Sequence, residues 1–279
     1  MAINEAKSPA TEKGGPVMEI RDLSYSYDGE IKTLKHVDFR AYRGQLVALI
    51  GPNGAGKSTL FKCILKFLKN YEGHIYLDGR DMQEMSRPEI ARKIAYIPQT
   101  TVPVFNYSVL DIVLMGLTGG LKLLESPKAK HVAKVEEILD SLGILHLKDR
   151  GFARISGGER QLVLLARAIV QDAEILVMDE PTANLDYGNQ FRVMERIKGL
   201  TDSGYTVILS THNPEHALLF AEKAFVLQNG EVRAAGPSKE VLTEELMQQL
   251  YDVQVKLVDT EFEGENARVC VPVRSTKEG

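Results

Sequence analysis

The sequence predicts an α/β fold: a parallel sheet with helices, an antiparallel β subdomain near the N-terminus, and a helical subdomain inserted in mid-chain. Three observations predict it. The apolar run Gln45–Ile50 leads into Gly51-Pro52-Asn53-Gly54-Ala55-Gly56-Lys57-Ser58-Thr59, and Leu60, Cys63, Ile64 and Phe67 then recur at helical spacing. Two more apolar runs end in polar groups: Ile175–Met178 in Asp179-Glu180, and Tyr205–Ser210 in Thr211-His212. Between the glycine loop and the first of these runs, residues 100–151 change to a helical texture.

The glycine loop fits G-x-x-x-x-G-K-[ST], the Walker A pattern. Strand, glycine loop and helix form an arrangement suited to phosphate. Glycines let the backbone approach and turn its N–H groups inward, and the helix N-terminus adds partial positive charge. Lys57 can reach the β- and γ-phosphates, and the Ser58 hydroxyl can ligate Mg2+.

The first strand is expected over Met18–Leu23, followed by the turn-rich Ser24–Gly29. Val37, Phe39 and Ala41 alternate within Leu34–Tyr42, a half-buried strand, and Gly73–Gly79 is another. Tyr25 and Tyr27 are expected on opposite faces of an extended segment. One of them could stack on a base; the alternative is that both pack or lie exposed. A short helix opens at Ser86 or Pro88 and runs to Lys93. The strand Ile94–Ile97 follows and delivers Gln99 to the sheet edge, where ligand contacts gather in open α/β sheets.

Val135, Ile138, Leu139 and Leu142 then mark a helix with Gly143 past its end, and Gly116–Lys130 is expected as a loop before it. Ser156-Gly157-Gly158 opens a helix carrying Leu162, Leu165, Ala166 and Ile169. It is either a second anion-binding helix start or an ordinary Ser cap. Asp179 and Glu180 leave a buried strand at its C-terminal end, where after a phosphate loop they suit Mg2+ and water chemistry. Val193, Ile197 and Leu200 mark a helix after Asn184-Leu185-Asp186. His212 is either a γ-phosphate contact or a structural histidine. Asn229-Gly230 predicts a hairpin turn of type I′. A helix over Lys239–Leu250 and a hairpin of Val253–Val258 with Arg268–Val273 complete the pattern.

The length of 279 residues allows one large domain with a subdomain. Hydrophobic residues make up 44% and charged residues 26%, ordinary for a globular protein. The net charge of −4 gives no basic footprint, so no nucleic-acid partner is expected. Cys63 falls on an apolar helix face and is expected as a buried small hydrophobe. No apolar run is long enough to span a membrane. Residues 1–16 lack a signal peptide's apolar centre and are expected as a disordered tail.

Taken together, the chain carries Tyr27, Gly51–Thr59, Gln99, Ile155-Ser156-Gly157-Gly158-Glu159, Asp179-Glu180, Asp186 and His212 in one order. This pattern resembles the ATP-binding subunit of ABC transporters, a P-loop NTPase fold, over about residues 17–237. The resemblance implies a helical subdomain near residues 100–160, between the Walker A and Walker B motifs, and leaves 238–279 as an extension. It implies an ATPase that sandwiches ATP and Mg2+ between two copies of the chain. By that mapping Tyr27 stacks on adenine and residues 51–59 hold the phosphates. Ser58, Gln99 and Asp179 serve Mg2+, while Glu180, His212 and Gln99 are catalytic. Ser156, Gly157 and Gly158 meet the γ-phosphate bound on the opposite copy, and Asp186 lies at the seam. The family's signature usually has Leu and Gln where this chain has Ile155 and Glu159.

The implied partners are two transmembrane permease subunits and, indirectly, an extracytoplasmic substrate-binding protein, at the cytoplasmic face of the membrane. Ser108–Gly116 and Leu250–Pro272 resemble importers of iron chelates, haem and cobalamin. Molybdate or tungstate importers look similar. A non-transport ABC protein or a P-loop kinase is the alternative of a different class.

Overall fold

The computed structural model describes residues 14–99, 107–119, 127–262 and 265–273. The tail expected over 1–16 lies almost wholly outside them, as do parts of the expected helical insertion.

The central sheet has the order β10-β9-β3-β8-β7-β6. Its strands are β3 (Leu46–Ile50), β6 (Ile94–Ile97), β7 (Ile175–Met178), β8 (Thr206–Thr211), β9 (Lys223–Gln228) and β10 (Glu231–Pro237). All pairs are parallel except β9–β10. Strand β3 is buried along its whole length because both sheet faces are covered. Leu46, Ala48 and Ile50 face a core built with the helices, and Val47 and Leu49 face the other core. That second core is shared with the helix after the glycine loop and with an antiparallel sheet.

The antiparallel sheet has the order β2-β1-β4-β5. It comprises β1 (Met18–Ser26), β2 (Lys32–Ala41), β4 (Glu72–Leu77) and β5 (Arg80–Asp81). Ile20, Leu23, Val37, Phe39 and Ile75 pack inward from it. Val37 and Phe39 keep the period of two, while a register shift after Ile20 lets Leu23, three residues on, face the same core. Tyr25 and Tyr27 do not lie on opposite faces, as the sequence suggested, but on one side. Residues two apart share a face of a strand, and their rings meet edge-on at 5.0 Å.

Helix α1 (Lys57–Ile64) buries Leu60, Phe61, Cys63 and Ile64. It stops before Phe67, which is 60% exposed rather than on the buried face. Lys66 turns left-handed there (φ 55°), and its ammonium donates to the Met82 and Met85 carbonyls at 2.8 and 2.6 Å. Helix α2 (Arg87–Lys93) starts on a capping box of Ser86 and Glu89 and ends at the expected residue.

On the other side of the sheet, α3 (Val109–Leu114), α4 (Ala129–Ser141) and α5 (Gly157–Val170) pack through Val109, Val113, Val135, Leu139 and Leu165. Gly143 (φ 75°) ends α4 as expected. Within the expected loop before α4, Met115–Gly119 form a 3-10 turn and residues 120–126 lie outside the described ones. Helix α6 (Tyr187–Asp202) buries Val193 and Ile197, and α7 (Pro214–Phe220) follows β8. Asn229 and Gly230, with φ of 51° and 81°, make the expected β9–β10 turn.

The single helix expected after Pro237 is two: α8 (Ser238–Val241) and α9 (Glu244–Tyr251). Thr243 divides them because its hydroxyl accepts from the Leu246 N–H at 3.2 Å and caps α9. The closing hairpin is longer than expected, β11 (Val255–Phe262) with β12 (Glu265–Pro272). Leu242, Met247, Leu250, Val255 and Cys270 join the larger core, so this segment has no core of its own. Among the described residues no helix is long and apolar enough to cross a membrane.

Candidate active site

Register brings the polar strand ends to one edge. Ile50 lies opposite Thr211, Leu209 opposite Met178, and Met178 opposite Ile97. The residues that follow are therefore neighbours at the C-terminal edge of the sheet, where ligands bind in α/β folds.

The glycine loop leaves β3 and enters α1. Three of its positions need glycine. A Cβ on Gly51 would meet the Leu227 carbonyl oxygen at 2.1 Å; Gly56 (φ 108°) lies against Leu34; Gly54 has φ 80°. No side chain caps the first amides of α1, so its N-terminus opens onto the loop. Lys57 is buried and its ammonium donates to the Gly51 and Pro52 carbonyls at 2.7 and 3.1 Å. Burial lowers its pKa, opposed by the nearby Glu180 carboxylate at 3.6 Å. Asn53, Gly54 and Ser58 are exposed, whereas Ala55 and Thr59 are buried. The Thr59 hydroxyl lies 3.3 Å from the Tyr27 hydroxyl, which places that half-exposed ring beside the start of α1.

Asp179 and Glu180 leave β7. The Asp179 N–H donates to the Ile97 carbonyl at 2.9 Å, continuing the β6 ladder. Glu180 takes a left-handed backbone (φ 46°), a costly conformation for a side chain of its size that recurs at functional sites. Its Oε2 accepts from Gln99 Nε2 and lies equally near His212 Nδ1, both at 3.2 Å. The Gln99, Lys57, Glu180 and His212 singled out by sequence thus form one cluster.

Behind it stand groups that sequence reasoning missed. Ser210 Oγ donates to Asp179 Oδ1 at 2.6 Å and accepts from the Glu180 N–H at 2.9 Å. His216 lies between Thr182 and Thr211, whose hydroxyls are 3.4 and 3.5 Å from Nδ1. The Asn213 amide is 3.3 Å from His216 Nε2. An amide N–H donor there makes Nε2 the acceptor and leaves the proton on Nδ1. Burial, then the His212 charge, lowers the His216 pKa to about 4. Polar residues at full burial were the available signal, and burial is not written in sequence.

Ser156, Gly157, Gly158 and Asp186 gather elsewhere, at the N-termini of α5 and α6. Ser156 Oγ accepts from the Glu159 N–H at 3.3 Å, and Glu159 Oε2 accepts from the Ser156 N–H at 2.7 Å. The Ser156 backbone amide, and then its hydroxyl, hold the Glu159 carboxyl below its usual pKa. Gly158 lies against the Asn189 side chain, where a Cβ would sit 2.9 Å from Cγ, and Gly157 lies against Leu185. Asp186 caps α6 through the Asn189 N–H at 2.8 Å, which lowers its pKa.

The first cluster fits an anionic phosphate chain: an uncapped helix start, a buried ammonium and glycines with no room for side chains. Its other donors are the oxygens of Ser58, Asp179, Gln99 and Glu180, the hard ligand type that Mg2+ prefers. The described residues hold no group of three or more His, Cys, Asp or Glu able to cage a metal.

Residues 34–183 match the family model described as "ABC transporter". An uncharacterized ABC transporter ATP-binding protein of Haemophilus influenzae is 39% identical, over 87% of this chain and 92% of that one. A protein of Helicobacter pylori named for iron chelatin transport is 34% identical, over 87% and 95%. A hemin import ATP-binding protein of Nocardia farcinica is 35% identical, over 88% and 83%. A solved structure described as an inward-facing metal-chelate type ABC transporter has a TM-score of 0.82 at 30% identity, covering 94% of this chain and 99% of its own. An ATP-binding cassette in its ADP conformation has a TM-score of 0.77 at 28% identity, over 85% and 98%. The chain belongs to the ABC transporter family, as its ATP-binding cassette and ATPase.

Proposed function

We propose that this chain is the ATP-hydrolysing subunit of an importer for a metal chelate such as iron-siderophore, haem or cobalamin. Two copies would dock on two membrane permease subunits at the cytoplasmic face, with cargo delivered by an extracytoplasmic substrate-binding protein. One observation carries the cargo class: the likeness to the metal-chelate type transporter spans 94% of this chain, against 85% for the ADP-state cassette. The names of the Helicobacter and Nocardia relatives point the same way. In this reading 17–237 is the cassette and 238–279 the extension.

Residues 51–59 hold the phosphates of ATP, with Lys57 exchanging loop carbonyls for phosphate oxygens, and Tyr27 offers its ring to adenine. Ser58, Asp179 and Gln99 hold Mg2+, which when bound neutralises phosphate charge and polarises the transferring group. Glu180 Oε1 takes a proton from the attacking water while Gln99 and His212 steady Oε2. Ser156, Gly157 and Gly158 serve the nucleotide held by the other copy, with Asp186 at the seam. A groove of about 430 Å³ lined by Phe67, Arg87, Tyr96, Met115 and Gln171 lies beside the strand that delivers Gln99. It would offer the permease a contact on the strand that leads to Gln99.

The test is affinity purification of the tagged chain from gently solubilised membranes of its own cell. A polytopic permease and a binding protein are expected to co-purify, and ligand binding to the latter names the cargo. Recovery only with ribosomes, nucleic acid or no partner would overturn the importer assignment.

A further inference from the structure

We propose that Ser210 is a positioning residue that locks the metal-side carboxylate of Asp179 and the base-bearing backbone of Glu180 in one fixed arrangement. The inference rests on the roles proposed above for those two acids.

Every residue of β8 is buried. Ser210 is 0% exposed, at a position where the strand's pattern otherwise accommodates an apolar side chain. A hydroxyl buried so completely is unfavourable unless both its donor and acceptor capacities are used. Here they are, and the directions are unambiguous. The Glu180 amide can only donate, so Ser210 Oγ accepts it at 2.9 Å. The hydroxyl proton is then directed to Asp179 Oδ1 at 2.6 Å, a short charge-assisted bond.

Two consequences follow for the site. Asp179 is held from both neighbouring strands, its N–H by Ile97 of β6 and its carboxylate by Ser210 of β8. The bond at Oδ1 fixes the orientation in which the Asp179 carboxylate would serve Mg2+ or a water on it. Glu180 is held in its left-handed conformation, which is unfavourable for a side chain of its size and persists only where surrounding bonds over-determine it. One side chain therefore sets both the carboxylate that serves the metal and the turn that aims the base. It does so from behind the site, without touching nucleotide, which separates its expected effect from that of the acids themselves.

The experiment compares wild type, Ser210→Ala and Ser210→Thr in the full chain. Thr keeps the hydroxyl and suits a strand. Four quantities are read: melting temperature, equilibrium binding of a fluorescent ATP analogue with and without Mg2+, kcat with KM for ATP, and the Mg2+ concentration for half-maximal activity. For Ser210→Ala, kcat should fall about 10–100-fold, the range for losing a group that orients a metal ligand. KM should stay within about threefold, and the Mg2+ requirement should rise by about the same factor as kcat falls. Analogue binding without Mg2+ should not change, and Ser210→Thr should restore most of kcat. Wild-type kcat and Mg2+ dependence in Ser210→Ala would overturn the proposal while leaving the ATPase reading intact. So would equal loss of binding with and without Mg2+, together with a lower melting temperature and no recovery in Ser210→Thr, since that marks packing alone. A wild-type chain that binds no ATP would overturn the ATPase reading, and this proposal with it.

Discussion

The start of α1 and the starts of α5 and α6 look alike in sequence, each a small or polar residue ahead of an apolar helix, but they are finished differently. Helix α1 has no side-chain cap over its first amides. Helix α5 is closed by the reciprocal Ser156–Glu159 box, and α6 by Asp186. The surroundings differ in the same way. Around α1 the polar bonds join residues far apart in sequence: Gln99 to Glu180, Glu180 to His212, Ser210 to Asp179. Around α5 and α6 they span three residues. The first site is assembled by the sheet, and in the proposed reading it would serve a ligand within one chain. The second is two locally capped helix ends, which in that reading would meet a ligand only when another copy presents it.

The largest test of that division is Glu180→Gln. Loss of the base should cut turnover about 10²–10⁴-fold in a phosphate-release assay, with ATP affinity unchanged within about twofold. Robust multiple turnover by this variant would remove Glu180 from its assigned role. Ser156→Ala should lower turnover about 10²-fold, the scale of one lost donor at a developing charge. Binding of ATP by the single chain should be unaffected, and stability should fall by only about 1 kcal/mol for the lost cap. If single-chain binding falls as well, the two clusters are one site and the comparison fails.

Next comes the pH dependence of folding at the first cluster. The folded pKa of His216, about 4, lies below the ordinary value of 6.5. The unfolded chain therefore binds more protons between those values, so stability is present above pH 6.5 and lost as pH falls toward 4. The loss should be about 3 kcal/mol, visible as a falling melting temperature. His216→Gln should flatten that slope; an unchanged slope would place the titration elsewhere. The smallest effect is expected for Glu159→Gln. A glutamine oxygen can still accept from the Ser156 N–H, so melting should move by less than about 1 kcal/mol from the altered helix-start charge. A larger loss would show that the charge, not the box, holds this helix start.

What was legible in the sequence follows the same division. Residues 51–59 declare themselves because part of their backbone need is local: Gly54 and Gly56 take φ of 80° and 108°. The crowding that excludes a Cβ at Gly51 and Gly158 comes from Leu227 and Asn189 and is not written in either segment. Asp179 and Glu180 are legible because a buried strand ends in charge. The Ser210 clamp and the His216 network depend on how β7, β8 and α7 meet, which no single segment records. Phe67 continued the helical period, but the backbone turns at Lys66, whose ammonium is satisfied by carbonyls from another segment. Thr243 split the expected C-terminal helix because a hydroxyl cap competes with continuation.

The division between the two clusters predicts that each site is complete only when two chains close on ATP. The direct test is the mass of the Glu180→Gln chain by light scattering, with and without ATP and Mg2+. One chain of 31.0 kDa is expected without nucleotide, and twice that mass with it, reverting to one chain when Ser156→Ala is added. A single-chain mass at saturating, demonstrably bound ATP would contradict the sandwich.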